Sequence, residues 1–140
     1  MKDLFNKINP KRAISPVSVA DNTAQVSQII DRKGFESVTY IISAGSLADV
    51  DATFTVSISE GDVSNLSDAA APATADLLGT TALASFTFSD DDKVFKLGYI
   101  GSKRYTRITV TPANNASAAV ISAVAILGHP MIGATANPPV

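Results

Sequence analysis

Residues 53–60 read TFTVSISE, and the fold turns on this stretch. Phe54, Val56 and Ile58 alternate with Thr55, Ser57 and Ser59, which puts the apolar side chains on one face of an extended chain. An amphipathic helix repeats every 3.6 residues, not every two. A strand with one dry and one wet face belongs to an antiparallel sheet packed on one side only. Residues 104–111, RYTRITVT, repeat the pattern, with Thr106, Ile108 and Val110 on one face and Tyr105, Arg107 and Thr109 on the other. Residues 35–44, FESVTYIISA, are dense in β-branched and aromatic residues and read as a central strand. Residues 118–127, AAVISAVAIL, are almost continuously apolar. Their Val/Ile content and their place just after PANN favour a final interior strand over a buried helix.

The remaining segments fit around these. Residues 17–20 begin a strand that ends at the Asp21-Asn22 turn. Residues 23–31 fit either a helical face or a strand, and the DRKG that follows favours a strand ending at Asp31. Residues 45–52 read as a loop. The stretch 61–83, rich in Ala, Ser and Asp around Pro72, is a long excursion pinned by Leu66, Leu77 and Leu78. A strand at 84–88 turns Phe86 and Phe88 inward, and an acidic turn at 89–92 leads to a strand at 94–100. Gly101–Lys103 reads as a tight hairpin turn. Roughly eight strands with turn signals about every ten residues imply a sandwich or barrel. The expectation is an all-β, two-sheet antiparallel β-sandwich of jelly-roll type, with an immunoglobulin-like sandwich as its rival. The sandwich domain spans 17–128, between a basic N-terminal arm at 1–16 and an extended C-terminal tail at 129–140.

At 14.5 kDa this is one domain. Area scaling gives roughly 7,000 Å² exposed when folded against roughly 21,000 Å² unfolded, enough for a core without staples. There is no Cys, hence no disulfide or thiolate metal site. No stretch reaches the length needed to span a bilayer, and MKDLFNKINPKRAISP has no apolar signal core. The net charge of −2 is uneven: Lys2, Lys7, Lys11 and Arg12 crowd the first dozen residues against Asp3 alone. A basic arm ahead of an acidic body fits a tether onto an acidic partner. Leu4, Phe5 and Ile8 are apolar residues that a purely solvated tail does not need.

Catalytic equipment is sparse. His129 is the single imidazole, and no Ser stands in a G-x-S-x-G elbow, so a triad has no visible members. The expected role of His129 is to cap a strand end or sit at an interface. Asp90-Asp91-Asp92 lack the spacing and glycine of a calcium loop, and Asp49 and Asp51 are better spaced but alone. GYIGSKRYTR has three cations in an acidic body, a poor footprint for nucleic acid. Three tyrosines and no tryptophan make a weak sugar platform. No cofactor, metal, nucleic acid or membrane partner is expected, and the chain is not expected to be an enzyme. Tyr105 and Arg107 on the outward face suit a protein interface.

The runs VTYIISAGSLADVDATFTVSISEGDVSNLSDAAA, ADLLGT and KVFKLGYIGSKRYTRITVTPANNASAAVISAVAILGHP resemble the capsid cement, or decoration, proteins of tailed bacteriophages. They are of the kind found on a Bordetella phage capsid. The resemblance covers roughly residues 30–130, and GYIGSKRYTRITVTPANN with the closing LGHP is its most specific part. It implies a jelly-roll fold, docking on the exterior of an icosahedral shell against the major capsid protein, and self-association as a homodimer at two-fold positions. It implies a virion protein made in the host bacterial cytoplasm, and it brings no catalytic residues. The expected capsid contacts are Lys2, Phe5, Lys7, Lys11 and Arg12 in the arm, the 61–83 excursion, and Tyr105 and Arg107. The alternatives are a receptor- or glycan-binding module of a tail fibre and a small hydrolase using His129 with an acid.

Overall fold

A computed structural model describes residues 2–139. The strands run β1 (Ile8–Val19), β2 (Gln25–Val26), β3 (Ile30–Asp31), β4 (Phe35–Leu47), β5 (Thr53–Gly61), β6 (Leu77–Leu78), β7 (Phe86–Thr87), β8 (Val94–Tyr99), β9 (Tyr105–Ala113) and β10 (Ala119–Pro130). They form two sheets with every pairing antiparallel. The first sheet has the order β1-β10-β4-β8-β6, and the second β2-β9-β5-β7, with β3 also pairing to β9. With β2 and β3 taken as one interrupted strand and β6 as a short addition, the chain fills eight positions in the order of a jelly roll. The expected all-β sandwich is therefore the observed one.

The alternation that defined the fold is the alternation that builds the core. Phe54, Val56 and Ile58 of β5 face Ile108 and Val110 of β9, and all are buried. Across the sandwich they meet Tyr40, Ile42, Leu97, Ile121 and Leu127 of the first sheet. Phe54, Phe86 and Phe95 form a stack that bridges the two sheets at the β7–β8 side, with ring centroids 4.9 and 5.2 Å apart. The chain exposes 7500 Å², close to the scaling expectation.

Several local expectations need correction. The first strand begins at Ile8 rather than residue 17, so residues 8–16, read as arm, are the larger part of a 12-residue edge strand. Pro10 and Pro16 are tolerated there because an edge strand has one row of main-chain groups without sheet partners. β4 continues through Gly45 to Leu47, where a loop was expected. The Val120 side chain lies over Gly45, 3.1 Å from where a Cβ would stand. Residues 84–88 do not form one strand. They hold the end of a one-turn helix α1 (Thr81–Ala84), then β7, then a 3-10 turn at Phe88–Asp90. Thr87 and Asp90 cap that turn reciprocally, which swings Phe88 out to solvent instead of inward. The turn at residues 101–103 is a corner between sheets, since β8 and β9 lie in different ones. Leu66 is buried and Leu77 packs on the core, but Leu78 is exposed.

Antiparallel order sends alternate loops to opposite ends. One end gathers the loops around Asp21, Asp49, Asp51 and Asp90–Asp92, with Lys93 as the cation beside them. The other end gathers the described residues before β1 and after β10, the β3–β4 turn and the β8–β9 corner.

Candidate functional site

The arm expected to carry contacts divides in two. Lys2, Phe5 and Lys7 precede β1 and are exposed. Asp3 accepts from the Asn6 main-chain N–H (3.0 Å) and side-chain amide (2.9 Å), which shapes the 3-10 turn at Phe5–Lys7. Those bonds hold the Asp3 carboxyl below the usual carboxylate range. Lys11 and Arg12 lie in β1 itself. Lys11 is half-buried, and Arg12 is exposed, donating to Ser15 Oγ (3.0 Å) and Gln28 Oε1 (3.4 Å). Gln28 returns its side-chain amide to the Arg12 carbonyl and its main-chain N–H to the Ala13 carbonyl (3.0 Å). That cross-link ties β1 to the β2–β3 segment and closes this side of the sandwich.

The C-terminal tail folds back onto the same segment. The Thr135 N–H donates to the Asn6 carbonyl (3.0 Å), and its hydroxyl donates to the Ile8 carbonyl (2.7 Å). Leu4 and Phe5, 68% and 65% exposed, remain uncovered beside it. His129 has φ of 53° near the end of β10 and shares a 3.0 Å hydrogen bond with Ser37 Oγ, a strand-end position.

Tyr105 and Arg107 stand half-buried on the outer face of β9, on the second sheet, as the alternation required. Arg104 stacks over the Tyr105 ring at 5.0 Å and forms a two-pronged pair with Asp31, both bonds 2.9 Å. The Arg104 guanidinium draws the Asp31 carboxyl below its usual range. The structure does not bring Tyr105 and Arg107 together with Lys11 and Arg12, which lie in the other sheet.

Sequence reasoning missed Arg32. It is 8% exposed and donates to the carbonyls of Lys103 (2.7 and 2.9 Å), Gly101 and Glu36 (both near 2.8 Å or shorter). Its guanidinium also lies 4.9 Å from the Tyr99 ring centroid. The Tyr99 hydroxyl donates to Glu60 and accepts from the Lys103 N–H (3.0 Å). Burial first, then the Glu60 carboxylate, pushes Tyr99 above the ordinary tyrosine range. This clamp fixes the β8–β9 corner, so the main-chain geometry of the basic stretch GYIGSKRYTR is set from within.

The outer face of the first sheet was also missed. In β10, Val120, Val124 and Ile126 point outward while Ala119, Ile121, Ala123, Ala125 and Leu127 point into the core. The signal was present in AAVISAVAIL: a strand apolar on both faces is one that expects cover on both. Val94 on β8 and Ile41 on β4 extend this face.

At the acidic end the carboxylates serve the main chain. Asp91 accepts from the Leu47 N–H (2.9 Å), Asp49 from the Ala116 N–H (2.8 Å), and Asp90 from the Thr87 N–H (2.9 Å) and also from the Lys93 side-chain ammonium (2.8 Å). Among the described residues no three His, Cys, Asp or Glu side chains converge in a metal-binding group. No helix among them is long and apolar enough to cross a membrane.

No protein-family model matches the chain, and no curated protein matches it in sequence. Among solved structures it is similar to the PBSX exported protein XepA, with a TM-score of 0.58 and 14% identity, covering 91% of this chain and 39% of that one. The chain thus spans well under half of XepA, and at this identity the likeness is one of fold. Weaker similarity extends to the SPBc2 prophage-derived protein YomS, with a TM-score of 0.42, 11% identity, and 84% and 94% of the two chains covered. The CBM22-1–GH10 modules of Clostridium thermocellum xylanase 10B give a TM-score of 0.45, 13% identity, and 95% and 28% coverage. Neither of these two bears on what this chain does.

Proposed function

We propose that this chain is a structural virion protein that binds the outer surface of an assembled icosahedral phage capsid. It stabilises the shell by bridging major capsid protein subunits and performs no catalysis. The reading joins the resemblance of residues 30–130 to phage cement proteins with one structural observation, the uncovered apolar outer face of the first sheet. Val94, Val120 and Val124 are exposed there on strands whose other face is already the core. Such a face favours a broad, flat partner over a small ligand in a pocket. Lys2, Phe5, Lys7, Lys11 and Arg12 at one margin, and Tyr105 and Arg107 on the second sheet, are the further contacts, with a homodimer at two-fold positions as the docked unit.

The mechanism is mass action. A protein that binds the closed shell and not its separated subunits shifts the equilibrium toward the shell. Many copies add their contributions through multivalency. The test removes the protein from purified particles and heats them in low salt. Stripped shells should release DNA at a lower temperature than complete ones, and adding the purified chain back should restore the difference. Equal survival of stripped and complete shells overturns the reading.

A further inference from the structure

We propose that the open edge of β8 is a strand-docking groove for an extended peptide segment carrying an acidic side chain two residues before an apolar one. This goes beyond the shell-binding reading and does not depend on it.

The argument starts from main-chain parity. The Ala44 N–H donates to the Lys93 carbonyl (2.9 Å), and the Ile100 N–H donates to the Asp76 carbonyl (2.8 Å). Alternate residues of a strand turn their main-chain groups to opposite neighbours. Phe95 and Leu97 therefore bond to β4, while Val94, Lys96 and Gly98 face the other side. There β6 offers only two residues, Leu77 opposite Tyr99 and Leu78 opposite Gly98. Gly79, at φ 83°, then turns the chain away, and Thr80 starts α1 by accepting from the Leu83 N–H (3.1 Å). The N–H and C=O groups of Val94 and Lys96 are left facing an open edge, which is a template for another strand.

The ground beside that edge is shaped for side chains. A groove of about 560 Å³ is lined by Leu78, Gly79, Leu83, Val94, Lys96 and Gly98, among others. Leu78, Leu83 and Val94 are 56%, 74% and 62% exposed. Leu78 lies across Gly98, where a Cβ would stand 2.9 Å from its own. Lys96 is the single charged side chain in the lining, with no acid to answer it. A strand laid along β8 beyond the end of β6 would gain main-chain bonds from the edge, set a carboxylate opposite Lys96 beside Leu78, and place an apolar side chain two residues on against Val94 and Leu83. One cation among leucines and valine does not suit a nucleic acid.

The test uses the full chain, labelled with 15N, and the blocked peptide Ac-Glu-Thr-Val-Thr-NH2. Binding should shift and slow the exchange of the Val94 and Lys96 amides. A version N-methylated at alternate main-chain nitrogens should bind about tenfold more weakly or worse, having lost two edge hydrogen bonds. Lys96→Glu should weaken the Glu peptide about threefold and favour a companion with Lys in place of Glu. Absence of shifts at millimolar peptide, shifts centred elsewhere, or indifference to N-methylation overturns the proposal. So does protection of the same amides by self-association of the unliganded chain, which would make a second copy the occupant.

Discussion

Arg32 shows what a single side chain contributes here. Its guanidinium closes three carbonyls, those of Lys103, Gly101 and Glu36, in a place water does not reach freely. Arg32→Met should cost about 3 kcal/mol in urea unfolding, because charge-assisted bonds are lost and the carbonyls stay unpaired. Arg32→Lys should recover little, since an ammonium cannot reproduce the planar fork; full recovery would mean that charge alone matters. Tyr40 makes the complementary point about pH. Its hydroxyl shares a buried 2.8 Å hydrogen bond with Thr106, and burial pushes it well above its ordinary value of 10.0. The unfolded chain then loses this proton at a lower pH than the folded one. The stability tied to neutral Tyr40 is therefore complete below about pH 10 and declines as pH rises above it. Tyr40→Phe should cost about 1–2 kcal/mol at neutral pH by orphaning the Thr106 hydroxyl. It should also flatten the alkaline decline, measured as the urea midpoint from pH 8 upward. Neither residue advertised itself in sequence: Arg32 sat in DRKG, which reads as solvated turn, and its carbonyl partners lie up to 71 positions away.

Strands differ in how openly the chain announced them, and the reasons are physical. β5 and β9 were legible because one face is core and the other solvent, which is what alternation encodes. β10 was legible as a buried strand, but its two apolar faces hid which side is inward. The pairing resolves it: Ala125 stands opposite Tyr40 and Ala123 opposite Ile42, so small side chains meet large ones across the first sheet. Ala125→Leu should therefore overpack the core and cost about 1–3 kcal/mol. Val124→Thr, one position along on the outer face, should stay within about 0.5 kcal/mol. Equal effects at the two sites would contradict the facing. β1 was hidden by Pro10 and Pro16, which argue against helix but permit an edge. Its place beside β10 changes what truncation means. Removing residues 2–7 should leave the thermal midpoint nearly unchanged, whereas removing 2–12 should lower it, because it strips the first part of a paired strand from β10.

The molecule as a whole is electrically polarised in a way that no local window reveals. Asp21, Asp49, Asp51, Asp90, Asp91 and Asp92 come from three separate loops, and only the up-and-down course of the strands brings them to one end. The basic N-terminal segment is held at the other end, pinned by Thr135 of the tail. A particle so charged approaches a surface in a preferred orientation, and salt weakens that preference because exposed charges are screened over about 8 Å at physiological ionic strength. If the basic margin makes contact with a shell, neutralising Lys2, Lys7 and Arg12 to Gln removes three exposed attractions. At about 0.5 kcal/mol each, affinity for stripped shells should fall about tenfold in low salt. The loss should shrink as salt rises, because the unaltered chain weakens toward the variant while the variant stays nearly constant. Apolar contact through Val94, Val120 and Val124 predicts the opposite pattern, with affinity insensitive to salt and to the triple change. Sedimentation of the chain with stripped shells across a salt series therefore decides which margin or face carries the docking.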